Sequence, residues 1–413
     1  MTQLPADFTA QTRQLMGDER FKRYLTSFEV DPPVSIRLNP RKQLTVKDGE
    51  PVPWCRNGYY LKQRPNFTFD PLFHAGCYYV QEAASMFLDE VLRQMHNAYV
   101  SHQPSAIRPL TALDLCAAPG GKSTLLRSAL PSDCILYSNE PIRNRANILL
   151  ENVTKWGYAN HYVTNAYPRD YRASKFHFDL ILCDVPCSGE GMFRKDEATI
   201  REWSPRQVEK CWQLQRDIVS DAWACLNEGG LLIYCTCTFN SKENEENIRW
   251  ILETFDDAKA IPVETKPEWN ITGSLLNGFD EPVYRFIPGI SRSEGLFLCV
   301  LRKGQPSPMP SMGRDGRRMH QPTLQVMTPP STLKGDGDES VELSYPEAMK
   351  FLRGETLTLP PDTPRGIVEV CFDGHPLGTM KNIGTRANNL YPKEWRIKTT
   401  HIPNEYEPIL QQI

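Results

Sequence analysis

Between residues 111 and 301, short unbroken apolar runs alternate with stretches whose apolar positions recur every three or four residues. Short runs of the first kind read as strands buried on both faces, and the second kind as amphipathic helices packed across them. The predicted strands span 111–116, 134–138, 161–164, 178–183, 231–235 and 295–301, and the predicted helices 122–129, 142–156, 205–226 and 241–254. Pro205 suits a first helical turn, where no hydrogen bond is lost, and Gly229-Gly230 breaks the chain after that helix. The alternation predicts an α/β fold, a doubly wound, Rossmann-like sheet.

The pattern changes on both sides of this core. Residues 1–105 carry mixed helix and strand signals, an N-terminal α+β extension; the core takes 106–303. Residues 304–340 are rich in Pro, Gly, Ser, Met and charge and read as a linker. Periodicity returns over 341–413, where 366–372 alternates as a strand and Asp373-Gly374 reads as a tight hairpin turn, predicting a small β-rich domain.

A length of 413 residues agrees with two or three domains. No apolar run approaches the ~20 residues that cross a bilayer, and the first residues lack the apolar core of a secretory signal, so a cytoplasmic protein without membrane contact is expected. The formal net charge of −3 does not mark a nucleic-acid binder, so any such contact must come from a local basic face. The twelve cysteines fit no small secreted disulfide scaffold. Cys134, Cys183 and Cys299 lie in apolar runs and read as small buried hydrophobes, whereas Cys187, Cys235 and Cys237 fit that account less well.

Two local patterns carry chemistry. The first is LDLCAAPGGKST, residues 113–124, a Pro-Gly-Gly turn between a strand and a helix, where the backbone can approach a ligand closely. It would pass for a phosphate-binding loop ahead of Gly121-Lys122-Ser123 if Cys116 were glycine, with Asp184 as the magnesium ligand of a nucleotide hydrolase. The missing glycine and the missing N–H of Pro119 weigh against that rival. Glu140 ends the next strand, roughly twenty residues on, where an acid can accept both hydroxyls of a ribose. Turn plus acid fits a dinucleotide or S-adenosylmethionine equally.

The second pattern places DVPCSGEG after one strand and YCTCT at the end of another, so that Asp184, Cys187 and Cys237 converge with the glycine turn. The spacings between Cys183, Cys187, Cys235 and Cys237 are poor for zinc and lack the C-x-x-C of a redox pair, and no metal is expected. Nucleophilic catalysis meets a clear demand. Carbon 5 of cytosine is too weak a nucleophile to take a methyl from a sulfonium until a thiolate adds to carbon 6. A carboxyl near N3, such as Asp184, supports the addition, and a second thiol suits the release step. The residues themselves do not say which cysteine attacks.

DLCAAPGGKST, SNE, DVPCSGEGMFRKD and GGLLIYCTCTFNSKENEENI together resemble the successive motifs of RNA cytosine-5 methyltransferases of the Sun/RsmF family, and SIRLNP and HAGCYYVQEAASM resemble its N-terminal motifs. The resemblance implies S-adenosylmethionine as cofactor, Cys237 as nucleophile and Cys187 as the thiol assisting release. It further implies that Asp184 lies by both base and cofactor, with Lys122 positioning it. Cys116, Ala117, Ala118, Pro119, Gly120, Gly121, Glu140, Arg145 and Asn165 would complete the cofactor site, and Cys235 stands where that family commonly has serine.

Residues 381–398 carry Lys381, Arg386, Lys393, Arg396 and Lys398 against a single acid, Glu394, with Tyr391 and Trp395 interleaved for stacking. This segment resembles the PUA-like module of bacterial RsmF-type enzymes, which implies 16S ribosomal RNA as partner, free or in the 30S subunit, and a monomeric enzyme. Transfer RNA or 23S rRNA is the alternative target. Arg37, Asn39 and Arg41 are expected to add RNA contacts from the N-terminal extension. The target cytosine must be unstacked to enter the crevice.

Overall fold

The structure, a computed structural model, describes residues 3–102, 109–174, 176–304, 324–330, 340–399, 401–403 and 405–413, with backbone alone described at 96–102. Nine strands build the central sheet: β1 (Thr111–Asp114), β2 (Ile135–Asn139), β3 (His161–Thr164), β4 (Phe178–Asp184), β5 (Leu226–Thr236), β6 (Ala258–Ala260), β7 (Tyr284–Phe286), β8 (Leu296–Lys303) and β9 (Val326–Met327). Their order is β6-β8-β5-β4-β1-β2-β3-β9, with β7 paired to β8. β1 to β5 run parallel, and β8 returns antiparallel beside β5.

The buried parallel strands show why their sequences run apolar without alternation. Leu180 and Leu182 of β4 join Leu231, Ile233 and Val300 in one core, while Ile181 and Cys183 join Leu232, Tyr234 and Leu301 in the other. Each such side chain contributes about 1.5–3 kcal/mol by leaving water, so both faces must stay apolar. The chain winds toward β3 on one side of β1 and toward β5 on the other. A crevice therefore opens beyond the carboxyl ends of β1 and β4.

Two predicted boundaries move for a physical reason. The helix expected over 241–254 begins only at Glu245. The side chains of Asn240, Glu243 and Asn244 make buried hydrogen bonds ahead of it, competing with a first turn. Gly229-Gly230 does follow the helix Pro205–Cys225, but it sits at a register shift inside β5.

The stretch read as a linker is partly a correction. Most of 304–340 lies outside the described residues, but Val326 and Met327 add β9 to the edge of β3, and Met327 is buried against Ala117, Leu149 and Val163. That piece belongs to the central sheet.

The two ends of the chain pack together. In the N-terminal part, helices Ala6–Met16 and Asp18–Thr26 precede a sheet of Glu50–Pro51, Gly58–Leu61, Val34–Leu38 and Tyr78–Val80. The C-terminal module pairs Ser340–Glu342, Gly366–Phe372, His375–Asn382 and Ala387–Asn389 beside the helix Tyr345–Leu352. Its hairpin turns at Asp373 and Gly374, both at positive φ, as a two-residue hairpin turn needs. Ile36, Leu38 and Tyr78 share one core with Met349, Phe351 and Val370, and Leu410–Gln412 pairs with Leu44–Val46. Among the described residues no helix is long and apolar enough to cross a membrane.

Candidate active site

The glycine loop leaves β1 and enters the helix Gly121–Ala129, with Gly120 turning the chain at φ 116°. Its carbonyls are held from behind: Arg145 Nη2 donates to Ala118 O at 3.1 Å, Asn152 Nδ2 to Pro119 O at 2.8 Å, and Arg37 Nη2 to Gly121 O at 3.2 Å. A Cβ on Gly121 would come to 3.2 Å from the Tyr79 ring, closer than ordinary contact, so the ring would have to shift to admit one. Glu140 ends the neighbouring strand and is buried, its carboxylate accepting from the Ile142 N–H at 3.0 Å and lying 3.4 Å from Arg145. Asn165 spends its amide N–H groups on Glu140 O and Pro141 O, at 2.7 and 2.9 Å. Glycine cradle, buried acid and amide fit a nucleoside-bearing cofactor. Ile142 and Tyr167 on these two loops are 54% and 55% exposed, apolar surface that periodicity did not single out.

Asp114 lies beneath this loop, fully buried, with Ser123 Oγ donating to Oδ2 at 2.6 Å and no partner for Oδ1 among the described residues. Burial pushes its pKa up to about 7.

At the end of β4, Lys122 Nζ donates to Asp184 Oδ2 at 2.7 Å. Burial works to lower the Lys122 pKa, but the charges of Asp184, Cys235 and Cys237 outweigh it and hold the ammonium protonated. The thiols follow: Cys187 and Cys237 place their sulfurs 3.2 Å apart, and the Cys237 N–H points at Cys187 Sγ from 3.3 Å. Both are free cysteines and partly exposed. The hydrogen bond with Cys237, then burial, then the charges of Cys237 and Glu243 hold Cys187 well above the usual thiol range. Cys183 and Cys235 are fully buried strand residues, and no cluster of three or more His, Cys, Asp or Glu among the described residues could hold a metal.

Sequence reasoning missed the frame behind these thiols. Glu190 accepts from the N–H groups of Phe239 and Asn240, at 2.6 and 3.0 Å, and from Trp203 Nε1 at 3.0 Å. Glu243 accepts from the Ser188 N–H at 3.0 Å, Gln215 Nε2 at 2.7 Å and Asn240 Nδ2 at 2.8 Å. Each carboxylate thus fastens one cysteine loop to the other. Gly191 donates to Cys237 O at 2.7 Å, and a Cβ there would strike Gly295. The only signal was an excess of Glu and Asn around both motifs, which reads as solvated surface.

The expected RNA contacts divide. Arg37 is buried, its guanidinium on Gln81 Oε1, Thr124 Oγ1 and Gly121 O and its face over Trp156. Asn39 is buried with its amide on Gly76 O and Trp156 O. Both are buried and brace the N-terminal part against the core. Tyr391 is buried against Phe351, while Trp395 and Arg396 are half-buried, Arg396 donating to Tyr391 O. Lys381, Arg386, Lys393 and Lys398 are exposed, and Arg41 donates to Gly157 O from an exposed position.

A cleft of about 1830 Å³ runs from Ala117, Pro119, Lys122 and Asp184 across to the N-terminal part, reaching Lys22, Lys62 and Arg64. Cys187 and Cys237 do not line it; they stand just beyond Asp184 at the two strand ends.

A doubly wound sheet, a glycine cradle with its ribose acid, and two thiols beside a Lys–Asp pair define a Rossmann-like methyltransferase. Family models bear this out: residues 108–302 match the 16S rRNA methyltransferase RsmB/F model, 4–83 the N-terminal domain of 16S rRNA methyltransferase RsmF, and 338–397 the RsmF PUA domain. The chain belongs to the RsmB/F family of 16S rRNA methyltransferases. A ribosomal RNA small subunit methyltransferase F from Escherichia coli is 28% identical over 94% of this chain and 96% of its own. One from Pectobacterium atrosepticum is 32% identical over 75% of this chain and 65% of its own. Among solved structures, a methyltransferase homolog from Pyrococcus horikoshii is 26% identical, covers 71% of this chain and 93% of its own, and superposes with a TM-score of 0.57. NSun6 from the same organism, crystallised with SFG, shares the fold at a TM-score of 0.59 and 18% identity, over 73% of this chain and 99% of its own.

Proposed function

We propose that this protein transfers a methyl group from S-adenosylmethionine to carbon 5 of a cytosine in 16S rRNA, in the cytoplasm and as a monomer, on free RNA or the 30S subunit. The observation that carries the proposal is the pair of sulfurs 3.2 Å apart at the ends of β4 and β5, beside Lys122 and Asp184. Ala117–Gly121 and Glu140 would hold the cofactor, which supplies an electrophilic methyl when bound.

The chain's own residues do the rest. Cys237 as thiolate forms a bond to carbon 6, moving the ring's π electrons to carbon 5. Asp184, kept in place by Lys122, gives N3 a proton as negative charge arrives there and takes it back when Cys237 leaves. Once carbon 5 is methylated, its proton goes to a base and the electrons of that C–H bond expel Cys237. Cys187 is suited to take that proton. Its sulfur lies 3.2 Å from that of Cys237, so as a thiolate it is within reach of the adduct.

The test is Cys187→Ala with cytosine-containing RNA and cofactor. A protein–RNA adduct should accumulate as a slow band on a denaturing gel. An adduct trapped by Cys237→Ala instead would reverse the two roles, and none in either would remove covalent catalysis.

A further inference from the structure

Resting on that reading, we propose that the cleft is the track of a single-stranded stretch of the RNA, with Lys22, Lys62, Arg64 and Lys195 as its phosphate contacts. Small-ligand sites occupy roughly 300–1,000 Å³, so a cleft of about 1830 Å³ has room for nucleotides beside the cofactor. Eight Lys or Arg line it against four Asp or Glu, in a chain whose net charge is −3. Basic charge is concentrated here against the balance of the molecule.

Not all of those cations are available. Arg194 is paired with Glu294 and donates to Val30 O, Arg292 is paired with Glu50 over the Tyr60 ring, and Arg23 donates to Gly289 O. Lys122 is committed to Asp184. Lys22, Lys62 and Lys195 are exposed and make no ion pair among the described residues, and Arg64 is exposed over the Phe67 ring. They come from three separate places: the helix Asp18–Thr26, the segment after Gly58–Leu61, and the turn that follows the Cys187 loop. Such spacing follows a backbone. Val30 and Met192, 65% and 38% exposed, also line the cleft and offer apolar faces to unstacked bases, which a duplex would hide. A strand laid along this track passes over Asp184, where one base can turn in.

The experiment is binding of a fluorescein-labelled single-stranded RNA of about 15 nucleotides, followed by anisotropy across a salt series. Each phosphate contact on a single strand contributes about 0.7 to the slope of log affinity against log salt. The variant Lys22→Gln/Lys62→Gln/Lys195→Gln should lose about 2 from that slope and bind roughly 100-fold more weakly at 0.1 M salt, with cofactor affinity and melting temperature unchanged. A wild-type slope in this variant overturns the proposal. So does loss of the slope in Lys381→Gln/Arg386→Gln/Lys393→Gln alone, or equal affinity for a duplex of the same length. Binding is read without turnover, so a wild-type protein that binds RNA but never methylates it counts against the proposed activity and not against the track.

Discussion

The two halves of the crevice are held by opposite means. Around the glycine loop, donors reach in from outside and take the carbonyls: Arg37 on Gly121, Arg145 on Ala118, Asn152 on Pro119. With its carbonyls occupied from behind, the loop has N–H groups to turn toward a ligand. Around the thiols, the carboxylates of Glu190 and Glu243 take the N–H groups of Ser188, Phe239 and Asn240. Here the backbone is used up internally and side chains are what face the substrate. One half presents backbone to a cofactor; the other presents sulfur to a base.

If the halves are separate devices, a change in one should spare the other. Cys237→Ala should abolish methyl transfer, a loss of at least roughly 10⁴-fold in the manner of removed nucleophiles, with S-adenosylmethionine affinity by calorimetry within about twofold of wild type. A large loss of cofactor affinity would join the halves into one unit.

Glu243→Gln probes the frame more gently. All three groups facing this carboxylate are donors, so an amide there must oppose its own N–H groups to at least one of them. An unsatisfied buried donor costs about 1–3 kcal/mol, and we expect kcat to fall roughly 10- to 100-fold with cofactor affinity kept. Glu243 acts through Cys187, so the same change in a Cys187→Ala background should have little further effect. Equal losses in both backgrounds would make Glu243 a general fold residue.

The same contrast explains what the sequence made legible. The glycine cradle and Glu140 are local in the chain, and so is their strand–turn–helix context. The six predicted strands fall on β1 to β5 and β8, because strands buried on both faces advertise themselves by unbroken apolar runs. Glu190 and Glu243 act on residues about fifty positions away in the chain, and in the sequence they look like any solvated acid. Arg37 and Asn39, expected at the RNA, are buried instead, because the loop carbonyls and Trp156 that cover them come from distant segments. Tyr391 is hidden because the C-terminal module packs its ring against Phe351, leaving the exposed lysines and arginine around it.

Arg37→Ala turns that correction into a measurement. Removing a buried guanidinium takes the donor from Gln81 Oε1 and Thr124 Oγ1 and leaves the Gly121 carbonyl with Thr124 Oγ1 alone, so the cradle should loosen. Cofactor affinity should drop about tenfold, while the salt slope of RNA binding stays at the wild-type value. A slope reduced by about 0.7 would return Arg37 to the RNA.

The smallest effect contrasts two buried carboxyls, both pushed to about 7 by burial. Glu243 has three donors around it; Asp114 has Ser123 alone and an oxygen with no partner. Asp114 is therefore the one more at ease when neutral. Its folded pKa lies above the unfolded value of 3.8, so the native state binds the proton more tightly. The stability this group contributes is complete below pH 3.8 and is lost as pH rises through about 7. Asp114→Asn removes that dependence, while Glu243 and Glu294, also near 7, remain in both proteins and cancel. The wild type should thus melt above the variant by the widest margin near pH 5, and the margin should shrink by a few degrees toward pH 8. A margin constant across that range would mean that Asp114 keeps its charge when folded, with a donor to its second oxygen yet to be found.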